Sequence, residues 1–394
     1  MKSYITRQFK KFMKNANGRS FDKNRRQFSS SQSKSQDKGK KDAKDGRSSS
    51  TANGSGDLVL DIKAMFESLK QQFSIRGLIS VPDHLRKLDE QAFTPLLISI
   101  GPIHRSNAKL QTMKKLKVRI SSDDFVTMIL VDGMFILEYF LISYSHLEED
   151  DPTIEIPEWM HPILQSDLVL LENQLPFFVL EMLFQQKNFP AESEFKLLSL
   201  RELAFDFFGW YNFQKMVFED FKVKIEHLTD LVRFFDLSES EQLPYRRPGR
   251  AKLSYSATQL HEAGIKFKVA PEKYGRRFID IRFDLKKGVL EIPCITLNDE
   301  KIRLIRNIIA LEQSHYVGHA YVTDLFAILN FLIDNSKDVD LLCDKGILVN
   351  YLGDSKAAAS AVNNLNTNIL WDYMKPEYSK ICEDLNAFYK KTLA

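Results

Sequence analysis

Asp167-Leu168-Val169-Leu170-Leu171-Glu172-Asn173-Gln174-Leu175-Pro176-Phe177 is the stretch on which the reading of this chain turns. Its apolar residues follow a helical spacing, so Asp167 to Asn173 reads as helix and Leu175-Pro176 as a forced break. Pro176 suits a first helical turn, and a helix is expected to restart from Phe177 to Phe184. The polar residues amid the leucines need partners if they are buried. Asn173 and Gln174 are placed to bond the backbone groups that the break frees. The carboxylates Asp132, Glu138, Asp167, Glu172 and Glu181 all lie in apolar helical surroundings, and there they pair with arginine or satisfy helix ends.

Outward from this stretch the pattern is mainly helical. Leu58, Ile62, Met65, Phe66, Leu69 and Phe73 share one helix face after Asp57, and Leu110 to Ile120 is a basic amphipathic segment. Between them, residues 78–109 carry Val81-Pro82, Thr94-Pro95 and Gly101-Pro102, which predicts an extended segment packed over the body. Ser121 and Asp124 resemble a capping box that opens a long apolar helix to about His146. Within it, Asp132 and Glu138 argue against a membrane span, because carboxylates near a bilayer centre cost roughly 2.5–3.5 kcal/mol each. Ser199 to Phe218, Glu226 to Leu237, Tyr321 to Asp334 and a C-terminal stretch also read as helices, and Asn298 caps another. Pro244 to Gly249 reads as a surface loop.

The period changes once. Ile279, Ile281 and Phe283 alternate with Asp280, Arg282 and Asp284, a turn follows at Lys286-Lys287-Gly288, and Val289 to Ile292 ends at Pro293. With Ile265 to Val269 ahead of them, these residues predict a small antiparallel hairpin or sheet insert, about residues 265–297. The expected fold is therefore mainly α: a large helical domain over residues 57–394 carrying that insert.

Charge divides the chain differently. Residues 1–50 hold 15 Lys and Arg against 4 Asp and Glu, a net +11, so the +3 of the whole chain leaves −8 for the remainder. Residues 1–56 read as a basic tail whose later part is too polar to offset the entropy of ordering. At its start Ile5, Phe9, Phe12 and Met13 fall on one helical face, with Arg7, Lys10, Lys11 and Lys14 mostly off it. That is the pattern of a short amphipathic helix over residues 1–14, suited to an anionic membrane surface or to an organelle presequence. The same basic residues carry no aromatic interleaving in a folded domain, so no specific nucleic acid is expected as a partner. No apolar stretch follows the first basic residues as a secretory signal would require.

Chemical signatures are few. Cys294, Cys343 and Cys382 are too scattered for a disulfide scaffold or a four-thiolate zinc site, and each is expected as a reduced, at least half-buried thiol. His315 and His319 are four apart, but Gly318 lies between them and the glutamate of a zinc hydrolase is missing. Phosphate-binding glycine loops and nucleophile elbows are absent from the sequence as well. No catalytic, cofactor-binding or metal-ligating residue is assigned. An enzyme would have to use Asp132, Glu138 or Glu172 as a hydrolase or transferase.

Several punctuated segments together resemble a plant-specific family, the domain of unknown function 247 family, also called uncharacterised protein family 0481. They are Ile79 to Pro82 with Leu85-Arg86, Phe93 to Pro95, Ile98 to His104, Val131 to Glu138 and the opening stretch Asp167 to Phe177. Ala257 to Leu260, Gly288 to Pro293, Arg306 to Gln313, Leu332 to Asp334 and Leu352-Gly353 follow in the family's order. The resemblance covers roughly residues 73–394. It implies a mostly helical fold without assigned catalytic residues, and a plant interaction or signalling role toward a protein partner that it does not name. Some grass members are implicated in self-incompatibility. Because members typically end in a transmembrane helix, it also implies the cytoplasmic face of the plasma membrane. This chain stops at Leu393-Ala394, about where such an anchor would begin, which leaves a trimmed chain or a cytoplasmic variant as the expectation.

Overall fold

The computed structural model describes residues 79–105, 122–145, 156–184, 198–213, 215–220, 222–237, 244–249, 252–271, 279–369 and 372–393. The basic tail with its 1–14 segment, the helix expected from Leu58 to Phe73 and the segment Leu110 to Ile120 lie outside these residues.

Helices dominate, as the periodicity requires. In chain order they are α1 (Asp83–Arg86), α2 (Ser122–Ser145), α3 (Met160–Leu168), α4 (Phe177–Leu183), α5 (Leu200–Phe207) and α6 (Leu228–Leu237). They continue with α7 (Ala257–Glu262), α8 (Asp299–His315), α9 (Tyr321–Leu332), α10 (Ser336–Asp344), α11 (Ser355–Leu365) and α12 (Pro376–Leu393). The starts follow their caps. Ser199 accepts from the Glu202 amide, Asn298 from Lys301, and Ser256 with Gln259 closes a full capping box. α9 is buried over nearly its whole length, and α2, α3, α4, α6 and α8 contribute to the same apolar core. No helix among the described residues is long and apolar enough to cross a membrane.

Strand pairing departs from the sequence reading in one respect. β3 (Arg282–Asp284) and β4 (Val289–Ile292) form the expected antiparallel hairpin, with Phe283 opposite Leu290. β2 (Lys266–Val269) takes the other edge of β4 but runs parallel to it, with Lys266 opposite Val289. β4 lies between β2 and β3 in the sheet, so the chain reverses between β2 and β3 and again at the hairpin turn, which leaves β2 and β4 running the same way. Two smaller pairings were not visible in the sequence: β1 (Arg247–Pro248) antiparallel to β7 (Tyr373–Met374), and β5 (Ile295–Leu297) parallel to β6 (Leu348–Asn350).

Two helices depart from their expected bounds. The helix expected from Asp167 to Asn173 instead occupies Met160–Leu168, and the leucine-rich stretch after it is irregular. That expected from Ser199 to Phe218 ends at Phe207, followed by 3₁₀ turns at Gly209–Tyr211 and Phe218–Asp220. Cys382 is buried and Cys343 half-buried, but Cys294 is exposed, because the alternation of β5, with Ile295 and Leu297 inward and Thr296 outward, puts position 294 outward.

Candidate functional site

Residues 79–105 form a strap over the helical body, with α1 and a 3₁₀ turn (Glu90–Phe93) as its only helical elements among the described residues. An irregular segment has no ladder of its own, so its buried amides and carbonyls need partners from elsewhere. The stretch from Asp167 to Gln174 supplies them. Asp167 receives the amides of Leu96, Leu97 and Ile98 at 2.6–3.0 Å. Asn173 Oδ1 accepts from the Ile100 amide at 2.7 Å, while its Nδ2 donates to the carbonyls of Ile98 and Asp167. Glu172 accepts from the Val81 amide at 2.8 Å and pairs with Arg86. Gln174 donates to the carbonyls of Leu168 and Leu170 and accepts the Leu228 amide that opens α6. These bonds explain why the helix stops at Leu168: the side chains capture carbonyls that a continuing helix would use.

α8 and α2 complete the clamp. Arg303 donates to the Thr94 carbonyl at 2.6 Å and to Asp167 at 3.3 Å. Asn307 donates to the Ala92 carbonyl and accepts from the Leu171 amide, so it joins strap and motif. Asp132 accepts from the Gly101 amide at 2.9 Å. Gly101 has φ +70°, and a Cβ there would lie 3.2 Å from the Gln174 carbonyl oxygen, which makes glycine the residue that fits.

The electrostatics are those of buried groups. Burial raises the Asp167 pKa, opposed by its three amides and by Arg303. His104 lies 3.6 Å from Glu172, and burial followed by Arg86 lowers its pKa to about 4, so it is neutral at physiological pH. Of the five carboxylates singled out in the sequence, Asp132, Asp167 and Glu172 converge on the strap, Glu138 is buried in α2, and Glu181 is exposed on α4. A carboxylate acting as acid or base must reach a substrate proton. Asp167 is completely buried, one oxygen each of Asp132 and Glu172 accepts a strap amide, and the other Glu172 oxygen faces Arg86 and His104.

A second buried network escaped the sequence reading. Arg246, from the segment read as a surface loop, is almost wholly buried and grips Asp324 through Nε and Nη2 at 3.0 and 2.7 Å. It also donates to the carbonyls of Val317 and Tyr373. Arg233 donates to Glu312 at 2.9 Å and to the His319 carbonyl at 2.6 Å, and its guanidinium lies 4.6 Å from the Tyr316 ring centroid. Glu312 in turn accepts the amides of Val322 and Thr323 at the start of α9. The partners stand 79 and 78 residues apart, and no local pattern links them. Burial raises Asp324 to about 7 and Asp230 to about 6 against the pull of their arginines.

His315 ends α8 and His319 sits in the following 3₁₀ turn, so the pair does not share one helix face; His319 Nδ1 instead meets Tyr321 Oη at 2.9 Å. No group of three or more His, Cys, Asp or Glu among the described residues is arranged to hold a metal ion. The sequence-derived surface residues Ile5, Arg7, Phe9, Lys10, Lys11, Phe12, Met13 and Lys14 lie outside the described residues.

Known proteins place the chain in context. The family model for DUF247, a plant protein of unknown function, matches residues 78–123 and 118–394. The Arabidopsis thaliana UPF0481 protein At3g47200 is 26% identical over 79% of this chain and 76% of its own length. A second Arabidopsis thaliana relative, the putative UPF0481 protein At3g02645, is 30% identical over 34% of this chain and 25% of its own. No solved structure matches. The matched residues include the strap, the motif that clamps it and the arginine network, and the chain belongs to the plant DUF247 family.

Proposed function

We propose that this protein is a non-enzymatic interaction or signalling protein of plants that works at the cytoplasmic face of a membrane. Its helical body presents a recognition surface to a protein partner, and self-recognition is the form of this role suggested by the family's grass members. The observation that carries the non-enzymatic part is the occupation of the motif side chains. The most distinctive polar residues, Asp167, Glu172, Asn173 and Gln174, face the backbone of the protein's own strap and of α6. The membrane part rests on the basic amphipathic pattern of residues 1–14 and the net +11 of residues 1–50.

Co-sedimentation with phosphatidylcholine vesicles, with and without phosphatidylserine, tests the membrane part. The expected result is binding only to the anionic vesicles, weakened by salt and by Lys10→Gln/Lys11→Gln/Lys14→Gln. A chain that stays in the supernatant with both vesicle types overturns it. For the non-enzymatic part, Glu172→Gln is expected to lower thermal stability. Turnover of any substrate that Glu172→Gln abolishes while leaving the melting temperature unchanged would instead assign Glu172 to catalysis.

A further inference from the structure

Five side chains of the body, Asp132, Asp167, Asn173, Arg303 and Asn307, bond the main chain of strap residues 92–101. They take the amides of Leu96, Leu97, Ile98, Ile100 and Gly101 and the carbonyls of Ala92, Thr94 and Ile98. Main-chain contacts of this kind seat an extended segment, and the side chains buried between them fix which segment fits. Phe93 and Ile100 are completely buried. Gly101 holds φ +70°, with the Gln174 carbonyl oxygen 3.2 Å from where a Cβ would stand. The occupant of this groove must therefore carry phenylalanine, isoleucine seven residues on, and glycine directly after it. Groove and occupant are joined by contacts 31 to 215 residues apart in the chain.

We propose that two copies of this chain exchange straps, giving a dimer in which each strap lies in the groove of the other body. A second copy is the occupant because it presents the required segment residue for residue. An exchanged strap remakes the same bonds, so the closed and exchanged forms lie close in free energy and concentration decides between them. The sixteen residues 106–121 join the strap to α2, and a chain of that length reaches roughly 50 Å when extended, enough to cross to an adjacent body. Opening is easiest where the strap leaves the groove. There His104 Nε2 is buried without a hydrogen-bond partner, and lifting the strap returns it to water. The inference rests on the interaction reading above, whose partner it names, and it is independent of the membrane part.

The test uses full-length chains. Phe93→Ser/Ile100→Ser spoils the strap and keeps the groove, whereas Asp167→Ala/Asn173→Ala spoils the groove and keeps the strap. Sedimentation of the unaltered chain between about 1 and 100 µM should show a dimer that grows with concentration. Each variant alone should stay monomeric, and an equal mixture of the two should associate about tenfold or more tightly than either alone. If either variant fails to melt cooperatively, a fluorescent peptide of residues 90–105 decides. It should bind the unaltered chain, and the same peptide carrying the two serines should not. A chain that is monomeric throughout, a dimer that persists in either variant alone, a mixture that stays monomeric, or a peptide that does not bind overturns the exchange. Capture of a different protein by a chain that stays monomeric keeps the interaction reading and overturns only the exchange. A monomeric chain that captures no protein removes both.

Discussion

At the strap, acids and amides from the core receive the N–H groups of an irregular chain; at the turn of residues 316–320, arginines from two other elements donate to its carbonyls. Asp167 takes three consecutive amides, whereas Arg246 and Arg233 take the carbonyls of Val317 and His319. Both regions bury chain that has no ladder of its own, and in each the class of side chain matches the backbone group left over. The consequences differ. Replacing Asp167 leaves three neutral amides and an Arg303 that is partly exposed and still bonded to the Thr94 carbonyl and Ser166. A buried arginine without its carboxylate is an uncompensated charge.

Breaking the arginine clasp should therefore cost most. Asp324→Asn leaves Arg246 almost wholly buried with its bidentate partner neutralised, and a loss of roughly 3–5 kcal/mol in urea-determined stability is expected. Replacing both members, Arg246→Met with Asp324→Leu, should recover a large part of that loss. A double variant no more stable than the single one would show that the clasp acts through the Val317 and Tyr373 carbonyls and not through the ion pair.

The strap sharpens the contrast. Asp167→Asn keeps one acceptor oxygen but loses the other, and about 1–3 kcal/mol is expected for the amides left unpaired. The loss should be local. Hydrogen exchange at Leu96, Leu97 and Ile98 should accelerate well before exchange in α9 does. Uniform acceleration throughout the body would mean that strap and core open as one unit, and the two regions would no longer be separable.

These two regions also differ in how far the sequence revealed them. Proline punctuation at Val81-Pro82, Thr94-Pro95 and Gly101-Pro102 predicts a packed extended segment, and Asn173 and Gln174 beside a forced break predict side chains bonded to backbone. The structure bears out both, because the cause is local in each case. What failed is the helix expected from Asp167 to Asn173. Its leucine spacing is helical, but the period cannot register that strap amides some 70 residues earlier compete for Asp167. The clasp was illegible for the same reason in stronger form. Pro244-Tyr245-Arg246-Arg247-Pro248-Gly249 has a surface-loop composition, and only the tertiary position of Asp324 puts Arg246 inside while Arg247 stays exposed. The β2–β4 pairing failed likewise, since alternation identifies strands and says nothing of their direction.

Acidity should separate the two regions by sign. His104 at the strap falls from 6.5 to about 4 on folding, through burial and then Arg86. The unfolded chain binds more protons there, so this group's stabilisation is present above about pH 6.5 and is lost as pH falls through about 4. Asp324 at the clasp rises from 3.8 to about 7 through burial, so its contribution is present below about pH 4 and is lost as pH rises through about 7. His227, lowered to about 4, adds to the first trend and Asp230, raised to about 6, to the second. Urea midpoints measured between about pH 4 and 7 should show that His104→Gln removes a rise of stability with pH and Asp324→Asn removes a fall over the same window. Profiles that respond alike to the two substitutions would remove this distinction.

Two glycines give the finest version of the comparison. At Gly133 an added Cβ would come within 2.5 Å of Leu183 Cδ1, with Leu175 and Leu180 close behind, in the packed seam between α2 and α4. Gly133→Ala should cost about 1 kcal/mol net, because the Leu183 methyl, packed beside Leu175 and Leu180, must shift and the gain in helix propensity offsets only part of that. At Gly318 an added Cβ would overlap the Tyr245 ring, which on contact geometry alone looks worse. Tyr245 is 63% exposed, however, and its ring can swing into water at the expense of its edge-on contact with His319. The backbone bond from the Arg246 amide to the Gly318 carbonyl and the Arg246 grip on Asp324 do not depend on that ring. Alanine also lowers the entropy of the unfolded chain. The net effect expected for Gly318→Ala is within about 0.5 kcal/mol, readable as a small shift in urea midpoint. A loss comparable to that of Gly133→Ala would mean that Tyr245, and not Arg246 alone, holds the clasp closed.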